Sequence, residues 1–342
     1  MIFYAIQAHD DVQQLVMLVE SIFNESDSYL INLDPNFADQ AAAISRSLAD
    51  KNINNVIVRI GSHLNWGGIS QVHATLDVMQ YAVSSDIPWR LFINLSGDTL
   101  PLVQQSVIHE FYARGLRDGF RAYVSFFGNG AGWKPSNFAM IRLGGERGFA
   151  CRGKSLRFYG KVPALMEEEA RKLCASRETN PIFRTRLRGS LHVSDPMIEK
   201  KLIIRRLLPY EAEFRTRALG NRVLYAGRSW YTLERSVIEG LLSDPLTGEL
   251  VHYLEHFLCP DELFLQTYLM NSNRLAVEKI ARDNQWFSRG DSATISDTME
   301  EELFSSGTFY ARKVKFTNCP RIYGRVRKML ETGSDIALAT EN

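Results

Sequence analysis

The sequence lacks most of the features that declare a function outright. Its four cysteines, Cys151, Cys174, Cys259 and Cys319, are far apart and form no C-x-x-C pair. That excludes a zinc ribbon and a dense disulfide framework, and the thiols read as reduced. No run approaches the roughly 18 unbroken apolar residues of a membrane span. The start, MIFYAIQAHDD, has neither the basic opening nor the apolar length of a secretory signal, so a soluble, cytoplasmic protein is expected. Forty basic residues against 39 acidic leave a net charge of +1. There is no global field to attract nucleic acid, and any phosphate site is local. CRGKS at 151–155 lacks the first P-loop glycine, and GNGAG at 128–132 lacks the strand, helix and downstream acid of a dinucleotide site. His9, His63 and His73 accompany no G-x-S-x-G nucleophile motif. No Asp-x-Asp pair occurs anywhere in the chain.

What is present is ordinary globular material: 342 residues, 45% hydrophobic and 23% charged, enough for one large or two modest domains. The first 130 residues alternate short β-rich runs (IFYAI, YLINL, NVIVRI, RLFINL) with helical patterns. Val12, Leu15, Val16, Leu18, Val19 and Ile22 are read as one helix face, and Val72, Leu76, Met79 and Ala82 give helical spacing again. This alternation predicts an α/β fold with a mostly parallel sheet covered by helices on both faces. Ligands of such sheets bind beyond the carboxyl ends of the strands. RLFINL ends there on Ser96, Gly97 and Asp98, as a ligand-facing tip or simply as a tight turn of small polar residues.

Three regions are expected: a nucleotide-binding half over 1–127, a variable, helical and basic insert or acceptor region over 128–222, and a catalytic half over 223–342. In the middle region VPALMEEEARKLCA reads as a helix. The stretch holding Arg184, Arg186, Arg188, Lys200, Lys201, Arg205 and Arg206 reads as a basic helix face, either solvated or meeting anionic membrane. In the last region VLYAGRSWYTLERSVIEGLL predicts a strand, a turn and a helix, and PDELFLQTYLM a second helix. GTFYARKVKF is expected to be extended, so that Lys313 and Lys315 share one face while Arg312 takes the other.

NWGGISQVHATL (65–76), FINLSGDTLPL (92–102), AGRSWYTLER (226–235), PDELFLQTYL (260–269) and FYARK (309–313), in this order, resemble the core-2/I-branching β-1,6-N-acetylglucosaminyltransferase family, which also holds peptide O-xylosyltransferases. The resemblance implies a GT-A-like nucleotide-sugar fold. It also implies inverting transfer from a UDP-sugar, UDP-N-acetylglucosamine or UDP-xylose, to a glycan or lipid-linked glycan hydroxyl. Basic side chains stand in for the metal on the diphosphate, so no metal cofactor is expected. Family members from animals carry a membrane anchor and disulfides; this chain shows neither, which suggests a bacterial version, peripheral to a membrane at most. In one departure, the acid of the Ser-Gly-x-Asp-x-Pro pattern comes one position early, as Asp98. The alternatives are a metal-dependent transferase using Asp98 and a non-catalytic carbohydrate-binding protein.

Inverting transfer needs a base for the acceptor proton and positive charge for the departing diphosphate. Glu262 is the candidate base, with Pro260 at the first helical position, Cys259 as cap and Asp261 beside it as an acceptor contact. Lys313 matches the family's diphosphate lysine, with Arg312 in the same cluster and Arg289 a possible second cation. A charged edge strand is the bland alternative for that cluster. Gly67 and Gly68 permit close backbone approach to the donor, or make a strand-to-helix turn under Trp66. His9, Asp34, Ser96, Gly97 and Asp98 complete the expected donor side, Asp34 being equally a helix-capping acid. Trp230 and Tyr231 are candidate sugar-stacking rings or core aromatics.

Overall fold

In the computed structural model, side chains are described for residues 1–64, 68–126, 222, 225–254, 259–285 and 295–332. Backbone alone is described for 149–152, 155–158, 183–186, 190–194, 286 and 287.

The chain opens with the expected alternation: β1 (Ile2–Ala8), α1 (Val12–Ser21), β2 (Ser28–Leu33), α2 (Ala41–Ala49), β3 (Val56–Ile60), α3 (Ser70–Ser84) and β4 (Leu91–Ser96). A two-residue β5 (Leu100–Pro101), α4 (Gln105–Arg117) and β6 (Ala122–Val124) follow. The later elements are shorter. They are β11 (Tyr231–Glu234), α5 (Arg235–Ser243), α6 (Pro245–Leu254), α7 (Asp261–Asn271), β12 (Ile280–Arg282), β13 (Gln285–Phe287), α8 (Glu300–Phe304), β14 (Tyr310–Arg312) and α9 (Pro320–Thr332).

Seven strands make the central sheet in the order β12-β6-β11-β4-β1-β2-β3. All neighbours run parallel except β11, which is antiparallel to both β4 and β6. Strand alternation divides the core in two. Phe3, Leu30, Phe92, Val124 and Leu233 pack on one face against α3, α5, α6 and α7. Ile2, Tyr4, Tyr29, Ile93 and Tyr123 pack on the other against α1, α2 and α4. Burying both faces is what makes these strands read as unbroken apolar runs. The fold is therefore α/β, with a mostly parallel sheet and helices on both sides.

A third, smaller core gathers Leu100, Leu102, Leu303, Val314, Ile322 and Val326. It supports a three-stranded sheet, β13-β14-β5, which brings β14 beside the turn that follows β4.

Three local expectations are corrected. Of the strand predicted at the start of VLYAGRSWYTLERSVIEGLL, Val223 and Leu224 lie outside the described residues and Tyr225 forms a bridge; a strand forms at Tyr231–Glu234 and runs directly into α5 without a turn. Helix α7 begins at Asp261, because Cys259 takes a left-handed φ of 53° and Pro260 becomes the cap. The basic stretch expected as a helix face opens with two strands, β9 (Phe183–Arg186) and β10 (Ser190–Ser194), paired antiparallel with Ser190 opposite Arg186. They join β7 (Phe149–Arg152) and β8 (Ser155–Phe158) in a four-stranded sheet ordered β7-β8-β10-β9. Arg188, Lys200, Lys201, Arg205, Arg206 and the helix expected over VPALMEEEARKLCA lie outside the described residues.

Candidate functional site

The carboxyl ends of β1, β2, β4, β6 and β12 share one edge of the sheet, where β11 begins. Residues 226–230, just before β11, tie that edge together. Gly227 N–H donates to the Glu262 carbonyl at 2.9 Å. A Cβ at Gly227 would lie 1.9 Å from the Ser125 carbonyl oxygen, so only glycine fits. Arg228 N–H donates to Ser125 Oγ at 2.9 Å. Ser229 takes Asn94 Nδ2 on its carbonyl at 2.9 Å and gives its own hydroxyl to the Asp261 carboxylate. The loop thereby joins β4, β6 and the first turn of α7, where the helix terminus favours the negative charge of Asp261 and Glu262. Beside Ser229 and Asp261 a small recess has an apolar floor of Met79, Phe264 and Leu265.

Trp230 faces the other way, with the Arg312 guanidinium carbon 4.1 Å from its ring centre, a cation–π stack. Arg312 Nε donates to Ser96 Oγ at 2.7 Å and to Asp98 Oδ1 at 3.1 Å, while Ser96 Oγ also bonds that carboxylate. Ser96, Asp98 and Arg312, expected at the donor, are thus engaged with one another. The next residues do not continue the strand. Lys313 O accepts from Ile295 N–H at 3.0 Å, and Val314 N–H donates to Asp98 O at 2.9 Å. The expected alternation of Lys313 and Lys315 on one face is therefore lost. Lys315 Nζ turns to Asp10 Oδ2 at 3.0 Å, which raises its pKa. Among the described residues Lys313 has no carboxylate in ion-pair contact, and of the three cations in this segment it alone keeps its charge uncommitted.

The other expected residues are dispersed along the same edge. His9 is exposed after β1, 3.8 Å from Asp10. Asp34 closes β2 and caps the following turn by accepting Asn36 N–H at 2.8 Å, the structural use of that acid. Gly97 N–H donates to Gln7 O at 2.8 Å, holding the β4 tip against β1. Gly68 is buried and its carbonyl takes Gln71 N–H as α3 starts. Gly67 and Arg289 lie outside the described residues. Tyr231 is 3% exposed in the core, and burial holds its hydroxyl pKa above the ordinary value. Of the two readings offered for Tyr231, its burial favours the core aromatic, although the residue also lines the recess beside Ser229 and Asp261.

Sequence reasoning missed Gln14 and Ser229. Gln14 is 4% exposed, and its amide bridges the Gly97 and Val314 carbonyls at 3.2 and 2.5 Å. A polar residue within the apolar pattern of α1 was the available sign. Asp283, after β12, is buried; loss of water raises its pKa to about 6 against the pull of Arg228 and Arg282. Among the described residues no three His, Cys, Asp or Glu side chains converge as a metal-binding group, and no helix is long and apolar enough to cross a membrane.

The fold and this edge define an α/β protein with a cationic and a carboxylate-bearing wall where the strands end. Residues 2–118, about a third of the chain, match the family described as Core-2/I-Branching enzyme. A human N-acetyllactosaminide β-1,6-N-acetylglucosaminyltransferase is 25% identical over 114 residues, 33% of this chain and 28% of that protein; the match thus spans under a third of the relative's length. Among solved structures, apo mouse xyloside xylosyltransferase 1 superposes with a TM-score of 0.34 at 10% identity, covering 91% of this chain and 97% of that one. Residues 1–349 of S. aureus TarS give a TM-score of 0.28 at 12% identity, covering 82% and 77%.

Proposed function

We propose that the protein is a GT-A-like glycosyltransferase, transferring a sugar from a UDP-sugar to a glycan hydroxyl with inversion and without a metal. The observation that carries this reading is Lys313, which has no carboxylate in ion-pair contact among the described residues and whose backbone neighbour Val314 is tied to Asp98 at the β4 tip, on the strand-end edge that also holds the loop fixing the first turn of α7. The acceptor oxygen attacks the anomeric carbon opposite UDP. The new glycosidic bond forms as the bond to the β-phosphate oxygen breaks. Glu262 takes the hydroxyl proton, and Lys313 balances the charge gathering on the departing diphosphate. The metal-dependent alternative loses support because the Asp98 carboxylate is already bonded to Arg312 and Ser96. N-acetylglucosamine is the favoured sugar, since the human relative's name specifies it, with xylose second. The acceptor is a glycan, free or lipid-linked, and the arginines and lysines of 183–206 support peripheral contact with anionic membrane.

Glu262→Gln is expected to leave UDP affinity within about twofold while lowering turnover by roughly 10² to 10⁴, the usual contribution of a positioned base. Transfer should survive a chelator. Wild-type turnover in this variant would remove Glu262 from the chemistry. UDP binding with neither transfer nor donor hydrolysis, across a panel of sugars and acceptors, would leave a non-catalytic binding protein.

A further inference from the structure

We infer that Arg312 is a positioning residue: clamped between Asp98 and Trp230, it sets the turn that presents Lys313 at the strand-end edge. The inference rests on the reading of Lys313 as the diphosphate cation and deepens it.

The Arg312 head is already committed on two sides. Its Nε reaches Ser96 Oγ at 2.7 Å and Asp98 Oδ1 at 3.1 Å, and the Trp230 ring covers its face at 4.1 Å. Asp98 is 5% exposed. Swinging Arg312 out toward a phosphate would leave that carboxylate buried without its counter-charge, the costliest way to break such a pair. The far side of Lys313 is fastened to the same turn, by Val314 N–H on the Asp98 carbonyl at 2.9 Å. Gln14 then ties Gly97 O to Val314 O. Lys313 therefore sits between two residues that are both anchored on 97–98, and its backbone has no independent freedom. The Lys315 and Asp10 pair differs: both side chains are more than 40% exposed, so water and salt weaken it and it fixes little.

A diphosphate ligand and a positioning strut make different predictions, because the strut acts only through Lys313. Calorimetry with UDP, and with uridine as a control, on Arg312→Lys, Lys313→Ala, Asp98→Asn and the Arg312→Lys/Lys313→Ala double variant tests this. Arg312→Lys is expected to weaken UDP about tenfold alone and not at all when Lys313 is already alanine, a coupling of ordinary size for neighbours in one network. Asp98→Asn is expected to weaken UDP as well. If Asp98 acted merely as a negative charge near the phosphates, its removal would tighten binding. Uridine affinity should stay constant throughout, which a general collapse of the site would not allow.

Additive losses in the double variant, or tighter UDP binding in Asp98→Asn, would overturn the strut while Lys313 keeps its place. Unchanged UDP affinity in Lys313→Ala would overturn both. Should Asp98→Asn fail to fold, the Arg312→Lys cycle alone decides.

Discussion

Asp27 and Asp283 are both buried aspartates at the ends of strands of the seven-stranded sheet, and the molecule treats them in opposite ways. At the amino edge Asp27 accepts Ile2 N–H at 2.7 Å and Gln105 Nε2 at 2.8 Å, and touches His109 Nε2 at 2.6 Å. Gln105 carries the network on to Tyr4. At the carboxyl edge Asp283 Oδ2, Asn284 Nδ2 and Gln285 Oε1 are buried without hydrogen-bond partners among the described residues. Unpaired buried polar atoms cost free energy, and a satisfied network returns it. The contrast lies between the two acids: Asp27 is held in a satisfied network, while Asp283 and its neighbours leave polar atoms unpaired at the strand ends where ligands of such sheets usually bind.

The largest expected effect breaks the satisfied edge. Asp27→Ala strands two buried donors and an imidazole, and should lower unfolding free energy by about 3 to 5 kcal/mol, read from chemical denaturation. A loss below about 1 kcal/mol would show that the amino edge is not the stronger one.

Next, Asp283→Asn should stabilise the protein, and only at higher pH. The folded pKa of about 6 lies above the ordinary 3.8, so the folded state holds its proton more tightly than the unfolded chain. The cost of ionising Asp283 in place is absent well below pH 3.8, grows from there to pH 6 and is complete above it. The variant's gain should follow that curve to about 1 to 3 kcal/mol, tracked by melting temperature across pH. A gain that does not change with pH would mean that the carboxyl edge bears no ionisation cost.

The smallest effect sharpens the contrast at the surface. Lys315→Ala removes an exposed ion pair with Asp10 and should cost under about 1 kcal/mol, vanishing as salt rises. A larger, salt-resistant loss would make this edge as structural as the other.

The same division governs what could be read from the chain. The elements from β1 to β4 were legible because strands buried on both faces show as apolar runs, and their helices repeat every three to four residues. The tip at Ser96, Gly97 and Asp98 was legible as a place. Its partner was not, because the pairing with Arg312 spans 214 positions and no local pattern encodes it. The four-residue β11 is shorter than any reliable strand signal, and the start of α7 turned on the backbone of Cys259, a left-handed conformation that non-glycine residues rarely adopt. The chemistry of Lys313 was suggested by its resemblance to a family. That Asp98 and Asp10 take up Arg312 and Lys315, with no such contact to Lys313 among the described residues, became visible only in the structure.

The placement of β11 between β4 and β6 has a consequence for how the chain is made. Asn94 on β4 meets Ser229, which lies 135 positions later, so a nascent chain emerging from the ribosome carries β4 with one edge bare until the later segment arrives. Open apolar edges of this kind recruit other chains, and pairing at such separation is intrinsically slow. A fragment ending near residue 118 would keep that edge permanently exposed and should aggregate, even though it contains the whole stretch, residues 2–118, matched to the Core-2/I-Branching enzyme family.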